Sequence, residues 1–240
     1  MKKNFKFGAV VMAALIFLSG CGASNTTKGG LIGGGGGAAV GALIGNLIGK
    51  NAGGTLVGAG VGAAVGTTAG ILIGKKMDKA KAAAEAVANA QVESVKDANG
   101  LDAVKITYGS GILFTTSSSQ LSSEAMKSLN DLTNKVLKVY PDCDVAIQGY
   151  TDNTGWKNST KEQSIQKNIE LSQQRADAVK AYLLASGADA SQIKSSTGYG
   201  ENNPVADNAT AAGQAQNRRV EIYLYASEAM VKSAEAGTLQ

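Results

Sequence analysis

Asp152 and Arg175 are the ionisable pair in this chain whose setting most suggests a site. They lie in the stretch GYTDNTGWKNSTKEQSIQKNIELSQQR, Gly149 to Arg175, which brings one acid, one base and several amide or hydroxyl side chains to the mouth of a strand-loop-helix unit. A carboxylate and a guanidinium held a few ångströms apart clasp a ligand that carries both an ammonium and a carboxylate, because each end meets its opposite charge. A zwitterionic amino acid is such a ligand. The competing reading is that the two residues simply pair on the surface, as most exposed ion pairs do with little energetic effect.

Other chemistries lack their parts. The chain has no histidine and two cysteines, so zinc sites and histidine-based catalysis lose their usual ligands and bases, and no metal or cofactor is expected. Asp152 has no second placed carboxylate and no nucleophile–base pair beside it, which argues against hydrolysis of glycan or peptide. The balance of 23 basic and 19 acidic residues is mild and gives no argument for nucleic acid.

The elements that must position the pair are legible from apolar spacing. Val145-Ala146-Ile147 is a strand that ends at Gly149, with Cys143 alternating on the same face as Val145 and Ile147. The helix that carries Arg175 is expected from about Asn168 to Ser186, with Ile169, Ala176, Val179 and Leu183 inward and Gly187 ending it. Upstream, Val92 and Val95 mark a strand, Asn99-Gly100 a tight turn, and Val104, Ile106 and Tyr108 the return of a β-hairpin. Ser122 is a helix N-cap with Leu121 and Met126 as a hydrophobic staple. Ala125, Leu129, Leu132, Val136 and Val139 form the helix's inward stripe. Ile193 to Tyr199 is a further strand. The last strand opens at Asn217-Arg218-Arg219, with Val220, Ile222 and Leu224 on one face and Arg219, Glu221 and Tyr223 on the other. Read alone, the paired arginines are a solvated or structurally bonded edge.

The segments GYTDNTG, NIELSQQRADAVKAYL, GYGENNPVADN and NRRVEIYL, in that order, resemble the signature of the OmpA-like peptidoglycan-binding domain of outer-membrane proteins and Pal-type lipoproteins. The resemblance covers the C-terminal half of the chain and implies a βαβαββ sandwich of helices on a small sheet, an α+β fold. It implies as ligand the diaminopimelate residue of the peptidoglycan stem peptide. Carried over, it places Asp152 on the ligand ammonium and Arg175 on its carboxylate, with Thr154 and Asn168 as hydrogen-bonding neighbours and backbone amides near Thr115 completing the pocket. It also makes one of the paired arginines a support for the pocket. The sequence departs from the pattern in three places. Tyr150 replaces the usual His, Thr115 stands where Asp is frequent, and an insertion between Trp156 and Lys167 lengthens the loop between acid and base, so that it either lids the pocket or displaces Asp152.

The N-terminal part is of another kind. Lys2, Lys3 and Lys6, then the apolar run Phe7 to Leu18, then Leu18-Ser19-Gly20-Cys21 read as a secretory signal. LSGC resembles the lipobox of bacterial lipoproteins, which implies that Cys21 becomes the acylated first residue. Gly33, Gly37, Gly41, Gly45 and Gly49, and again Gly54, Gly58, Gly62, Gly66, Gly70 and Gly74, recur at every fourth position among Ala, Leu, Ile and Val. This glycine zipper favours close helix crossings in lipid, since each such glycine costs a helix in water about 1 kcal/mol relative to alanine. Leu31 to Gly49 and Thr55 to Gly74 are each about 28 to 30 Å long as helices, enough to cross a hydrocarbon core.

The expected organisation is a signal over 1–20, a tether over 21–30, the zipper hairpin over 31–75, a helical spacer over 76–90, the OmpA-like domain over 91–226 and a tail over 227–240. The expected function is that of a non-catalytic lipoprotein, held in the outer membrane with its C-terminal domain in the periplasm, which binds peptidoglycan and ties membrane to wall. In the alternative, the zipper forms a homo-oligomer or pore in the membrane and wall binding merely positions it.

Overall fold

The computed structural model describes residues 66–97, 99–115 and 118–240. The signal, Cys21, the tether and most of the zipper expected from the sequence lie outside the described residues. Helix α1 (Thr67–Glu85) leads into the hairpin β1 (Gln91–Lys96) and β2 (Asp102–Gly109). A single turn, α2 (Ser110–Leu113), precedes α3 (Ser123–Leu132), which continues as a π-helical turn over Thr133–Leu137. Then follow β3 (Cys143–Tyr150), α4 (Lys161–Ala185), β4 (Ile193–Gly198), the short α5 (Ala211–Asn217), β5 (Arg219–Ala226) and α6 (Glu228–Glu235).

The strands form one five-stranded sheet in the order β1-β2-β5-β3-β4. β5 is antiparallel to both β2 and β3, whereas β4 is parallel to β3. A parallel neighbour requires a crossover, and α4 supplies it. One face of the sheet, with Ile106, Tyr108, Val145, Ile147, Val220, Ile222 and Leu224, joins α1, α3, α4 and α6 in the main core. The architecture is mixed α+β, helices on a single sheet, as the resemblance implies.

Ser122 caps α3 by accepting from the Ala125 amide at 3.0 Å, as its position predicts. The stripe of α3 is not uniform, however. The π turn, seen in the Lys138 amide donating to the Thr133 carbonyl at 3.0 Å, adds a residue to the helical repeat. Val136 and Leu137 are therefore both buried, while Val139 rotates out to 56 % exposure. Met126 is exposed as well, so no buried staple forms there.

Helix α1 differs most from expectation. It runs without a break through residue 75, where the zipper was expected to give way to a spacer, and its face of Ala69, Ile73, Met77, Ala80 and Ala84 is buried. Lys76 pairs with Asp142 at 2.5 Å. These residues recur at helical spacing, and the sheet and α6 use that stripe as a lid. Among the described residues no helix is long and apolar enough to cross a membrane. The tail likewise is structured. Ser227 caps α6 by accepting from the Met230 amide, and Met230, Val231 and Ala234 enter the same core.

Candidate functional site

The C-terminal end of β3 and the start of α4 enclose an open cleft of about 520 Å³, to which Thr115, Asp152, Thr154, Asn168 and Arg175 all contribute. The five residues singled out from the sequence are thus brought together in one place. Two glycines make the approach of α4 to the sheet possible. A Cβ on Gly149 would lie 2.2 Å from the Ser172 carbonyl oxygen, and one on Gly198 would lie 2.1 Å from the Gln173 amide nitrogen. Only bare backbone fits at either point.

Asp152 stands just past β3 and is buried. Its Oδ1 accepts from the Thr154 amide at 3.0 Å, and its Oδ2 accepts from the Arg218 guanidinium. Burial works against its charge, but the hydrogen bonds from Thr154 and Arg218 outweigh that and hold the carboxyl below its ordinary value. Arg175, also buried, donates through Nε to the Ser118 carbonyl at 3.1 Å and lies 5.2 Å from the centroid of the Phe114 ring. Burial, and then the charge of Arg218, draw its guanidinium below its ordinary value. Acid and base do not pair with each other. Arg218 takes the carboxylate, and its side chain is 40 % exposed against 8 % for Asp152, so it is the partner free to move.

Asn168 ties the walls together. Its amide donates to the Asp152 and Thr154 carbonyls, both at 3.4 Å, and to Glu201 Oε2 at 3.1 Å. Its carbonyl oxygen accepts from the Trp156 indole at 2.8 Å. Thr115 lines the cleft, but its amide is directed to the Gln120 carbonyl at 3.4 Å. The backbone donor expected at that position is engaged within its own loop. The hydroxyls of Ser110 and Thr151, two further lining residues, are buried without a partner among the described residues.

The three departures from the family pattern resolve differently. Tyr150 does not line the cleft. Alternation along β3 sends its ring to the other face, stacked on Tyr199 at 5.4 Å and under Arg219 at 3.8 Å. Thr115 is a wall without charge. Most of the stretch between Trp156 and Lys167 is helix, and Asp152 lines the same cleft as Arg175. α4 begins at Lys161 rather than near Asn168, held by a capping box in which Thr160 Oγ1 accepts from the Gln163 amide and Gln163 Oε1 accepts from the Thr160 amide. The Thr160-x-x-Gln163 signal stands in the sequence.

Of the paired arginines, Arg219 is the structural one. Its Nε donates to Glu221 Oε1 at 2.7 Å within a buried network that includes the Tyr223 hydroxyl on Glu221 at 2.6 Å. Arg218, one of the two arginines the resemblance offers as a support for the pocket without deciding between them, lines the cleft. Strand alternation held the signal, since Arg219 shares its face with Glu221 and Tyr223 and leaves Arg218 to the opposite side. Cys143 is buried, and burial pushes its thiol up to about 12, which suits a core residue and not a reactive one.

A mixed five-stranded sheet carrying such a cleft at the end of β3 defines a class of domain, and residues 113–218 match the OmpA family. Residues 1–78 match the YMGG-like Gly-zipper family. The chain is 42% identical over 123 residues to the probable lipoprotein YiaD of Escherichia coli (strain K12), a match that covers 51% of this chain and 52% of that protein. It is 42% identical over 120 residues to the peptidoglycan-binding protein ArfA of Mycobacterium tuberculosis (strain ATCC 25618 / H37Rv), covering 50% of this chain and 34% of that one. The chain therefore spans about half or less of these curated relatives' own length. Among solved structures, a putative MotB like protein from Desulfovibrio vulgaris shares the fold, with a TM-score of 0.52 at 23% identity over 66% of this chain and 92% of that one.

Proposed function

We propose that this chain is a non-catalytic lipoprotein of the outer membrane whose OmpA-family domain grips peptidoglycan through the diaminopimelate of the stem peptide. The observation that carries the reading is the unpaired arrangement of Asp152 and Arg175, two buried opposite charges that line one cleft without bonding each other. Arg175 receives the ligand carboxylate. Asp152 receives the ammonium as Arg218, the more exposed partner, gives way or turns to a second ligand carboxylate. Thr154 and Asn168 hold the acid's loop, and Thr115 closes the wall. The site works by charge and shape alone, since Asp152 is the one acid among the cleft-lining residues. Relatives whose names read peptidoglycan-binding protein and probable lipoprotein support the same reading.

At the other end of the chain, Cys21 carries the acyl anchor, and each methylene buried in lipid contributes about 0.8 kcal/mol. The zipper beyond it packs in or against the membrane, and the folded domain reaches the wall from the periplasmic side. The test is sedimentation of the full detergent-solubilised chain with isolated wall material, together with titration of a diaminopimelate-containing stem peptide. Asp152→Ala and Arg175→Ala are each expected to weaken binding at least about tenfold while the domain stays folded, as loss of a charge-assisted contact does. A folded wild type that binds neither overturns the reading. The Gly-zipper match over residues 1–78 favours a second reading, a membrane homo-oligomer positioned by wall binding. Loss of the detergent-solubilised oligomer on changing Gly41 and Gly62 to Leu supports it.

A further inference from the structure

Trp156 is the single tryptophan of the chain. It lies on the rim of the cleft, lining it while 36 % exposed. A large aromatic left half in water at the edge of a binding cleft is not needed for the core, and this one is also held still. Its indole N–H donates to Asn168 Oδ1 at 2.8 Å and its backbone amide donates to Ser164 Oγ at 3.0 Å. Lys167, which does not line the cleft, lies with its ammonium 5.8 Å from the ring centroid and bonds Ser159 Oγ at 3.0 Å. The ring's orientation is thus fixed before any ligand arrives, so little side-chain freedom remains to be lost on binding.

A fixed indole face accepts a cation, an aromatic ring or the C–H face of a sugar. The first is disfavoured here, because Lys167, 5.8 Å from the ring centroid, and Lys157, which lines the same cleft, both repel another positive charge. An aromatic partner has no source in a cell-wall stem peptide. A pyranose does, because the peptide is joined to the amino sugar of the glycan strand. Lys157, an ammonium lining the same cleft, is the donor within the cleft for that sugar's hydroxyl or acetamido oxygens.

We propose that Trp156 and Lys157 form a glycan subsite beside the charged clasp, taking the amino-sugar ring that carries the stem peptide. The subsite rests on the wall-binding reading and lies in the insertion by which this chain departs from its family. It is tested by titrating the full detergent-solubilised chain with two probes, the diaminopimelate-containing stem peptide and the same peptide bearing its disaccharide. Wild type, Trp156→Ala, Trp156→Phe and Asp152→Ala are compared, and folding is checked by circular dichroism. The wild type is expected to bind the disaccharide-peptide about five- to tenfold more tightly than the bare peptide. Trp156→Ala is expected to remove that preference, whatever it costs the bare peptide through loss of the indole bond to Asn168, Trp156→Phe to restore part of it, and Asp152→Ala to weaken both probes alike. Equal binding of the two probes by the wild type, or an equal loss on both in Trp156→Ala, overturns the subsite and leaves the clasp standing. Failure of the wild type to bind either probe overturns the wall-binding reading and the subsite with it.

Discussion

The charge on Asp152 is the property on which the proposed clasp depends, and its surroundings protect it. Because the folded carboxyl titrates below its ordinary value of 3.8, the stability it contributes is fully present above that value and is lost only as pH falls through the lower folded one. Wall binding is accordingly expected to be flat between about pH 5 and 8 and to fail only in stronger acid, which sedimentation across a pH series measures. Asp144 runs the other way. Burial pushes its carboxyl up to about 6, against the pull of Lys194. The folded state therefore holds that proton more tightly than the unfolded chain, and stability declines as pH rises from 3.8 through about 6. In Asp144→Asn the melting temperature is expected to move in the variant's favour, relative to wild type, as pH is raised across that window. Glu221 matters as a partner, the buried counter-ion of Arg219. Removing its charge in Glu221→Gln leaves the buried Arg219 without its counter-ion and is expected to destabilise the domain by about 3 kcal/mol in chemical denaturation.

At the scale of elements, the site depends on how closely α4 lies on β3 and β4. That spacing is set by Gly149 and Gly198, where any Cβ would collide with backbone atoms of Ser172 or Gln173 that have no side-chain freedom to yield. Gly149→Ala is expected to cost about 2 to 3 kcal/mol, the range of overpacking in a tight core, and to weaken peptide binding as well, because α4 carries Arg175 and Asn168. Denaturant midpoints and the peptide titration check the two effects separately. The capping box at Thr160 does a complementary job. It starts α4 early enough to hold Ser164 and Asn168 against Trp156, so the insertion stiffens the cleft's rim and does not loosen it.

For the whole molecule, the consequence of α1 is that the folded unit begins upstream of the hairpin. Ile73 and Met77 are buried against the sheet, so a chain that starts at Gln91 exposes part of the main core. It is expected to be less stable than one that starts at Gly66 by several kcal/mol, on the scale of about 2 to 5 kcal/mol for each large apolar side chain lost from a core. Thermal unfolding of the two fragments measures the difference. Within the stretch 76–90 expected as a spacer, Met77, Ala80, Ala84 and Val87 are buried, so that stretch is part of the folded unit.

The sequence by itself determined the strands, the hairpin turn at Asn99-Gly100, the caps at Ser122 and Gly187, and the stretch from Gly149 to Arg175 that holds Asp152 and Arg175. Each of these is a local matter of periodicity, turn chemistry or motif, and local signals survive in one dimension. What only the tertiary structure decided depended on pairing across distance. Whether Arg218 or Arg219 meets Asp152 follows from the face that Arg219 takes at the start of β5 and from the antiparallel register that sets Tyr150 opposite Arg219. Whether Met77 and Met230 are exposed or buried follows from the single sheet face that α1 and α6 share. The π turn in α3 moved Val139 out of a stripe that a constant helical repeat placed inside. An apolar stripe specifies that a face must be covered, but what covers it is fixed only when the chain folds back on itself.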